Sequence, residues 1–369
     1  MELNTDVFVV GGGPAGLAAA IASRARGFRV LVADALQPPI AKACGEGLLP
    51  DAVAALSKLG VVFQEEDGRP LRGIRFEDGG TSVSANFPYQ AGRGIRRERL
   101  HEKLIEQAAD VGVSFLWNTT VTGLDRDGVL VAGGNKIRVQ WVIGADGSHS
   151  RVRSWSGMQP RAPEQVRFAF RQHFKLKPWN DFIEIHWART GQAYVTPVGP
   201  QEICVVLILD SPGKRFEESI RDFPALHGRL TCAQIVGTER GAVTSMFRLN
   251  RVYRGNVALI GDASGSVDAI TGEGLSLSFQ QAPALADALA AGDLERYQRA
   301  HRRMALRPRF MAELLLLLDR RSGLRKQAMR ALEGAPHLFE RMIAFHIGIV
   351  QPLKLAKAGA VMGWRLLTA

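Results

Sequence analysis

Short apolar runs separated by glycine mark the beginning of the chain. Residues 6–10 (DVFVV) precede a glycine-rich turn at 11–16, and an alanine-rich segment then reaches about Arg26. Gly27 ends this segment, and a second apolar run follows at 29–33. Continuous apolar runs of this length are typical of strands that are buried on both faces of a parallel sheet. The pattern therefore predicts a βαβ unit.

The apolar pattern changes further along the chain. A helix is predicted at 97–111, and short strands are predicted at 113–116, 121–124, 129–131 and 139–143. From about 161 to 245, apolar and polar residues alternate in segments separated by proline and glycine, which indicates an antiparallel sheet. These segments are 168–174, 182–187, 193–196 and 203–209.

The last third of the chain returns to a buried strand and then becomes helical. Residues 256–260 (NVALI) lead directly into GDASG, and a helical pattern runs from about Asp293 to the end, with interruptions at Pro308, Gly334–Pro336 and Pro352. We therefore predict an α/β fold with three parts. They are a discontinuous Rossmann-type domain at 1–160 and 246–295, an antiparallel substrate domain at 161–245, and a helical region at 296–369.

Composition narrows the class of protein. With 369 residues, of which 46% are hydrophobic and 22% charged, the chain can form a substantial core. The three cysteines, Cys44, Cys204 and Cys232, lie far apart, and the histidines show no ligand spacing, so no metal site is predicted. The start of the chain lacks the pattern of a secretory signal, and no apolar run reaches about 18 residues. We therefore expect a cytoplasmic protein.

The net charge of +11 is concentrated at one end. Residues 1–295 contain 32 basic and 32 acidic residues, whereas residues 296–369 contain 15 basic and 4 acidic residues. An enzyme that acts on nucleic acid would more often carry its basic surface around its groove, so no nucleic-acid partner is predicted. Two interpretations of 296–369 stay open. It is either a helical layer packed over a cavity, or a peripheral surface for an anionic membrane or an acidic carrier protein.

GGGPAG at 11–16 has the spacing of a dinucleotide-binding turn. Gly11 permits the tight turn, Gly13 allows the backbone to approach a pyrophosphate, and Gly16 lets the helix and strand lie close together. Asp34 ends the second strand, where a carboxylate accepts hydrogen bonds from the adenosine ribose and repels a 2′-phosphate. This combination predicts FAD or NAD.

A second block, at 256–282, distinguishes these two cofactors. Asp262 follows a buried strand and can bind ribitol or ribose hydroxyls, although it could instead cap a helix. Gly272 and Gly274 belong to TGEG, which precedes a predicted helix. The backbone N–H groups at the start of that helix can therefore meet a ring carbonyl. FAD has such a carbonyl edge, and NAD does not.

Taken together, GGGPAG with Asp34, VIGADGSHSRVR (142–153) and GDASG…TGEG resemble the fingerprints of the p-hydroxybenzoate hydroxylase-type flavoproteins. KACGEGLLP (42–50) and the TGEG ending resemble the geranylgeranyl reductase branch of that superfamily. The resemblance implies an FAD-dependent oxidoreductase that transfers hydride to a carbon–carbon double bond of an isoprenoid or polyketide-like molecule. A monooxygenase that uses NAD(P)H and O₂ on an aromatic or olefin is the alternative, and a flavin electron carrier without its own substrate is the second. NAD(P)H, where it is used, would bind transiently.

The resemblance also implies FAD contacts for individual residues. They are the turn Gly11, Gly13, Pro14, Ala15 and Gly16; Asp34 at the ribose; Cys44, Gly45 and Gly47 beside the flavin; Arg97 at the phosphates; Val121 at the adenine; Asp146 in the DG motif; and Asp262, Gly272, Gly274 and Leu275 at the ribitol and ring. No catalytic residue is assigned.

This chain departs from the family pattern at three positions. Asp34 replaces a common Glu, Glu46 occupies a slot often held by a small residue, and Thr196 stands where reductases often carry an aromatic. The Glu46 carboxylate could face the substrate or simply be solvated. Strand-like segments also carry charged side chains that could face a cavity or water. These are Arg167, Arg171, His173, Glu184 and His186.

Overall fold

The computed structural model describes residues 5–125, 128–131, 134–160, 165–212 and 215–350. Its strands, numbered along the chain, are β1 (Val7–Val10), β2 (Val30–Ala33), β3 (Gly47–Leu48), β4 (Arg69–Leu71), β5 (Gly73–Asp78), β6 (Thr81–Asn86), β7 (Gly92–Gly94), β8 (Ser114–Leu116), β9 (Val121–Asp125), β10 (Gly128–Val131), β11 (Lys136–Arg138), β12 (Trp141–Gly144), β13 (Gln165–Lys175), β14 (Phe182–Ala188), β15 (Gly191–Gly199), β16 (Glu202–Leu209), β17 (Gln234–Met246), β18 (Tyr253–Arg254) and β19 (Val257–Leu259).

The helices are α1 (Pro14–Arg24), α2 (Pro50–Lys58), α3 (Arg97–Asp110), α4 (Arg151–Trp155), α5 (Phe216–Ser219), α6 (Pro224–Leu230), α7 (Gly274–Ala290), α8 (Leu294–Arg320), α9 (Ser322–Glu333) and α10 (Pro336–His346).

A six-stranded sheet forms the Rossmann-type core, in the order β18-β19-β12-β1-β2-β8. All of its pairs are parallel except β18 with β19. All four residues of β1 and all four of β2 are buried, because helices cover the sheet as the continuous apolar runs require. The predicted α/β class is confirmed.

The second large sheet has seven strands in the order β17-β13-β16-β15-β14-β5-β6. The predicted antiparallel segments form β13 to β16, and one junction, β14 with β5, is parallel. Strands β5 and β6 come from residues 73–86, outside the segment 161–245 that was predicted as the substrate domain. The proposed domain boundaries therefore stay a prediction, although the two sheets are interleaved along the chain as expected.

The C-terminal helices pack against the seven-stranded sheet. Leu315, Phe339 and Ile343 lie in one apolar cluster with Phe76 and Ile185 of the sheet, and all five are buried. The predicted helical character of 296–369 is confirmed over the described residues 296–350, and the placement of this layer over a cavity stays a prediction. Within the described part of the chain, no helix combines the length and the apolar character needed to cross a bilayer.

The predicted break at Pro308 is wrong, because α8 continues through it from Leu294 to Arg320. Proline removes a backbone donor and normally interrupts a helix. Here Pro308 is buried, and Ala305 and Met311 on either side of it are buried as well, so both halves of α8 bury one continuous face. The helix instead ends at Arg320, and the predicted break at Gly334–Pro336 is confirmed. Pro352 lies outside the described residues.

Candidate functional site

A cavity of about 910 Å³ runs between the Rossmann core and the seven-stranded sheet. Its walls include every predicted site residue except Gly16. These residues are Gly11, Gly13, Pro14, Ala15, Asp34, Cys44, Gly45, Gly47, Arg97, Val121, Asp146, Asp262, Gly272, Gly274 and Leu275. They come from segments that are up to 264 positions apart in the chain, and the fold brings them around one space.

The glycine-rich turn forms one end of this cavity. A Cβ at Gly16 would collide with the carbonyl oxygen of Gly11, so a side chain there would separate α1 from β1. A Cβ at Gly13 would meet no atom within 4 Å and would enter the cavity instead. Gly16 therefore serves the fold, whereas Gly13 leaves room for a ligand beside the start of α1, where backbone N–H groups attract anions.

Two side chains outside the turn hold it in place. Asp34 accepts hydrogen bonds from the backbone N–H groups of Gly12, at 2.8 Å, and Leu36, at 2.9 Å. His101 accepts at Nδ1 from the N–H of Ile40 and donates from Nε2 to the carbonyl oxygen of Gly12, which requires a neutral ring. Burial lowers the pKa of His101 and keeps it in that form.

Sequence reasoning missed the role of His101. The signal available was its position four residues after Arg97, which places both side chains on one face of α3.

The cysteine-containing loop at 43–47 is fixed by Glu46. Its Oε1 accepts from Arg171 Nη1 at 2.7 Å and from the backbone N–H of Arg97 at 3.1 Å, and its Oε2 lies 2.7 Å from Nε2 of His173. Burial opposes its ionisation, but these bonds and the charges of His173 and Arg171 outweigh burial and lower the pKa of Glu46. Glu46 is 2% exposed, so the solvated alternative is excluded.

The five charged or titratable side chains that the sequence singled out in the antiparallel segments, Arg167, Arg171, His173, Glu184 and His186, are buried rather than exposed to water. Arg171 and His173 reach Glu46, and Arg167 lies between Asp268 and Asp319, at 3.4 Å from each. The remaining two, Glu184 and His186, contact one another at 3.0 Å. Because Ile183 and Ile185 line the cavity, Glu184 and His186 lie on the opposite face of β14.

Glu46, His173 and Cys204 have ligand atoms within 4.8 Å of one another, which is a spacing that a metal ion could use. The guanidinium of Arg171 already compensates the Glu46 charge, however, and burial raises the pKa of the Cys204 thiol well above its usual range. A deprotonated thiol is the form that binds metal. The arrangement favours an internal ion pair, and the predicted lack of a metal stays a prediction.

Buried polar atoms without partners show that the cavity fits FAD. Asp146 accepts from the backbone N–H groups of Arg151 and Val152 through Oδ2, while its Oδ1 has no hydrogen-bond partner among the described residues. Nε of Arg97 is likewise without a partner in the described part of the chain. Hydroxyl groups and phosphate oxygens of a dinucleotide would satisfy these two atoms. Asp262 lies 3.3 Å from Lys42 and is partly exposed.

A Rossmann-type sheet, a glycine-rich turn with its acid, and an adjoining cavity with unsatisfied polar groups define a dinucleotide-binding oxidoreductase. Residues 4–296 match the family described as FAD binding domain, and the chain belongs to that family. It therefore binds FAD, and it is an FAD-dependent oxidoreductase in a family that includes reductases and monooxygenases.

Comparison with individual proteins adds two curated relatives and one solved structure. The chain is 27% identical over 326 residues to the menaquinone reductase of Mycolicibacterium smegmatis, covering 81% of this chain and 80% of that one. It is 25% identical over 299 residues to the digeranylgeranylglycerophospholipid reductase of Methanocaldococcus jannaschii, covering 75% of each. A flavoprotein/dehydrogenase from Cytophaga hutchinsonii has the same fold, with a TM-score of 0.83 at 19% identity over 99% of both chains.

Gly13→Val should abolish FAD loading without unfolding the protein. Gly13 has φ −72° and ψ 176°, an extended conformation that valine adopts freely, so the change mainly fills the space beside the turn. Flavin absorbance per protein and circular dichroism measure the two effects. Gly323→Val is the control, because a Cβ there also meets no atom within 4 Å but lies outside the cavity. A fully loaded Gly13→Val protein would contradict the role of this turn.

Asp34→Ala should weaken FAD binding roughly ten- to a hundredfold, because it removes a charge-assisted acceptor. Titration of the apoprotein with FAD, followed by flavin fluorescence, gives the dissociation constant. Asp287→Ala, which removes an exposed carboxylate on α7 that is paired with Arg26, serves as the matched control and should bind FAD normally. Equal affinities in the two variants would mean that Asp34 supports neither the turn nor the ribose.

Proposed function

We propose that this protein uses FAD to reduce a carbon–carbon double bond in an isoprenoid or a similar long apolar chain. The observation that carries this proposal is the wall that the seven-stranded sheet contributes to the cavity. It is formed by aliphatic residues, namely Ile74, Ala169, Ile183, Ile185, Val206 and Ile208. A ligand lying on this wall meets apolar surface, which favours a hydrocarbon chain over a polar substrate.

Two of the polar side chains that this sheet contributes to the cavity already have partners; Thr244 and Ser245 of β17 also line it. Thr196 donates to the carbonyl oxygen of Gly45 at 2.8 Å, and Tyr194 donates to that of Ile270 at 2.7 Å. Burial raises the pKa of Tyr194, so its hydroxyl remains neutral. Neither group therefore needs a polar substrate atom to satisfy it, which agrees with an apolar substrate.

When bound, FAD supplies the two-electron redox chemistry, and the protein positions the substrate and excludes water from it. The residues proposed to hold FAD are those predicted from the sequence, with Arg97 and Asp146 providing the unsatisfied groups. The names of the menaquinone and digeranylgeranylglycerophospholipid reductases support a polyprenyl chain as the substrate class. Where NAD(P)H is the electron donor, we propose that it binds transiently, because the sequence contains one dinucleotide fingerprint and FAD is proposed to use it.

The reductase proposal is tested by the mass of the product. The FAD-loaded protein, reduced without oxygen, is mixed with a polyprenyl quinone or a geranylgeranyl lipid in detergent. After any quinol has been reoxidised to the quinone, mass spectrometry should show a gain of two hydrogen atoms for each carbon–carbon double bond reduced. A gain of one oxygen atom after air is admitted would instead establish a monooxygenase, and no product with either class would overturn the proposed substrate.

Ala169→Leu provides a variant that acts on the apolar wall alone. The larger side chain would extend from β13 into the cavity, and kcat/KM for a long chain should fall roughly tenfold or more while FAD content is unchanged. Loss of FAD together with activity would show that this position belongs to the cofactor part of the cavity.

We further propose that α8 rests on an anionic membrane surface, from which such a lipid would enter. Leu306, Phe310 and Leu317 are exposed on one side of α8, at 67%, 48% and 43%, and the exposed Arg299 and Arg303 lie near the same side. Glu313 is an acidic residue on this side of α8, and it is paired with Arg248. Apolar side chains flanked by arginine fit the boundary between acyl chains and anionic headgroups.

Charge reversal should test this surface. Arg303→Glu with Arg321→Glu should release the protein from anionic vesicles at low salt, because each exposed cation near the surface contributes about 1 kcal/mol, screened over about 8 Å. Arg325 is unsuitable for the test, although it belongs to the same basic segment, because it is buried and paired with Asp78 at 2.8 Å. Cosedimentation measures binding, with neutral vesicles as control. Equal binding to both kinds of vesicle, or binding to an acidic carrier protein alone, would overturn the membrane proposal.

A further inference from the structure

A group of buried charged residues lies directly behind the loop that carries Gly272 and Gly274. Glu273, between these two glycines, is absent from the cavity wall and is 1% exposed. Its side chain therefore points away from the cavity, into the space between α2, α8 and α10. Neither the predicted FAD contacts nor the proposed substrate wall gives it a role.

Three other charged or titratable groups face Glu273 within the described part of the chain. Nη2 of Arg307, on α8, lies 3.3 Å from Glu273 Oε1 and 3.4 Å from Oδ2 of Asp51, on α2. Nδ1 of His346, on α10, lies 3.5 Å from Glu273 Oε2. Ser276 and Gln280 of α7 donate to Asp51 as well. One guanidinium thus faces two carboxyl groups.

The hydrogen bonds determine which nitrogen of His346 carries a proton. Its Nε2 lies 3.1 Å from the carbonyl oxygen of Thr271, an acceptor, so Nε2 is the protonated nitrogen and donates. Its Nδ1 has no hydrogen-bond partner in the described residues, and neither has Oε2 of Glu273. An unpartnered carboxyl oxygen and an unpartnered imidazole nitrogen therefore face each other in a buried space.

Charge balance requires a proton at this point. With Asp51 and Glu273 both ionised and His346 neutral, the group would carry a net negative charge that Arg307 cannot compensate. Burying an uncompensated charge is costly, and a carboxyl group avoids that cost by taking up a proton. Burial raises the pKa of Glu273 to about 8, with Asp51 adding to the effect and Arg307 opposing it. Burial also lowers the pKa of His346 to about 4, so the proton resides on Glu273.

We propose that Glu273 stores one proton next to His346 and thereby keeps the rear of the Thr271–Gly274 loop electrically neutral when FAD in the cavity is reduced. The inference rests on the proposed position of FAD along this loop. An ionised Glu273 would place a negative charge behind a cofactor that itself becomes more negative on reduction, and so would disfavour the reduced form. Glu273 is a positioning residue for charge and makes no contact with the substrate.

The proposal is tested by the midpoint potential of bound FAD, measured without substrate on both sides of pH 8. In the wild-type protein the potential should fall more steeply once the pH exceeds the pKa of Glu273, since the carboxylate then forms. Glu273→Gln mimics the protonated group, so it should match the wild type at neutral pH and show the higher potential at alkaline pH. A tenfold change in the ratio of reduced to oxidised flavin corresponds to about 30 mV for a two-electron couple.

Glu184→Gln is the matched control, because Glu184 is also buried beside a histidine but lies on the far face of β14. The midpoint potential of FAD bound to Glu184→Gln should equal that of the wild-type protein at every pH. If the midpoint potentials of Glu273→Gln and of the wild type change with pH in parallel over the whole pH range, Glu273 stores no proton and the proposal is wrong.

A second variant covers the case in which Glu273→Gln fails to fold or load FAD. His346→Leu removes the facing nitrogen but keeps the carboxyl group, and the alkaline fall in potential should then persist at a shifted pH. Its disappearance would overturn the assignment of the proton to Glu273. FAD content and product formation are measured separately, so a protein that lacks reductase activity but shows the potential shift would contradict the proposed function alone.

Discussion

Compensation of buried carboxylates holds the cavity of this protein in shape. Three segments that border the cavity each carry or adjoin such a group, and each group faces an arginine from another element. Glu46 faces Arg171 and Asp268 faces Arg167, both arginines lying on β13, while Glu273 shares Arg307 with Asp51. A buried charge without a partner would cost several kcal/mol, so these contacts restrict where the loops can lie. The two sheets and the helical layer are joined at these points.

This arrangement also explains why the cofactor end and the substrate end of the cavity differ. At the cofactor end the turn, Arg97 and Asp146 present unsatisfied groups or backbone amides to the cavity. At the proposed substrate end, Tyr194 and Thr196 donate to backbone carbonyl oxygens, and aliphatic side chains face the cavity. The two ends therefore match the proposed occupants, a dinucleotide at one and a hydrocarbon chain at the other.

The sequence predicted those parts of the fold that depend on local pattern. The βαβ unit, α3 and the strands at 168–209 were evident because periodicity and glycine positions act over a few residues. Most of the motif residues converged on one cavity because they stand at the end of a strand or the start of a helix, whereas Cys44 and Gly45 lie in a loop and Val121 begins β9. The break at Pro308 was predicted wrongly because burial along α8 outweighs the local cost of proline.

The local sequence pattern could not predict the long-range contacts. Nothing in the sequence around Glu46 indicates that its partners would be Arg171 and His173, 125 and 127 positions away. The same holds for Glu273 and His346, and for the joining of β5 and β6 to the antiparallel strands. Such pairings depend on how the sheets and helices are assembled, and an alternating strand shows which side chains share a face but not what lies opposite them.

The hydrogen bond from Thr196 to the carbonyl oxygen of Gly45 adds a second link between the seven-stranded sheet and the loop that Glu46 anchors to β13. Thr196 belongs to the wall proposed to receive the hydrocarbon, and Gly45 belongs to the loop that adjoins the proposed cofactor site. Any change that moves β15 to admit a different chain would also pull on this loop. Substrate range and cofactor environment would then be mechanically linked, and a residue without a hydroxyl at position 196 would remove this link while leaving the one through Glu46.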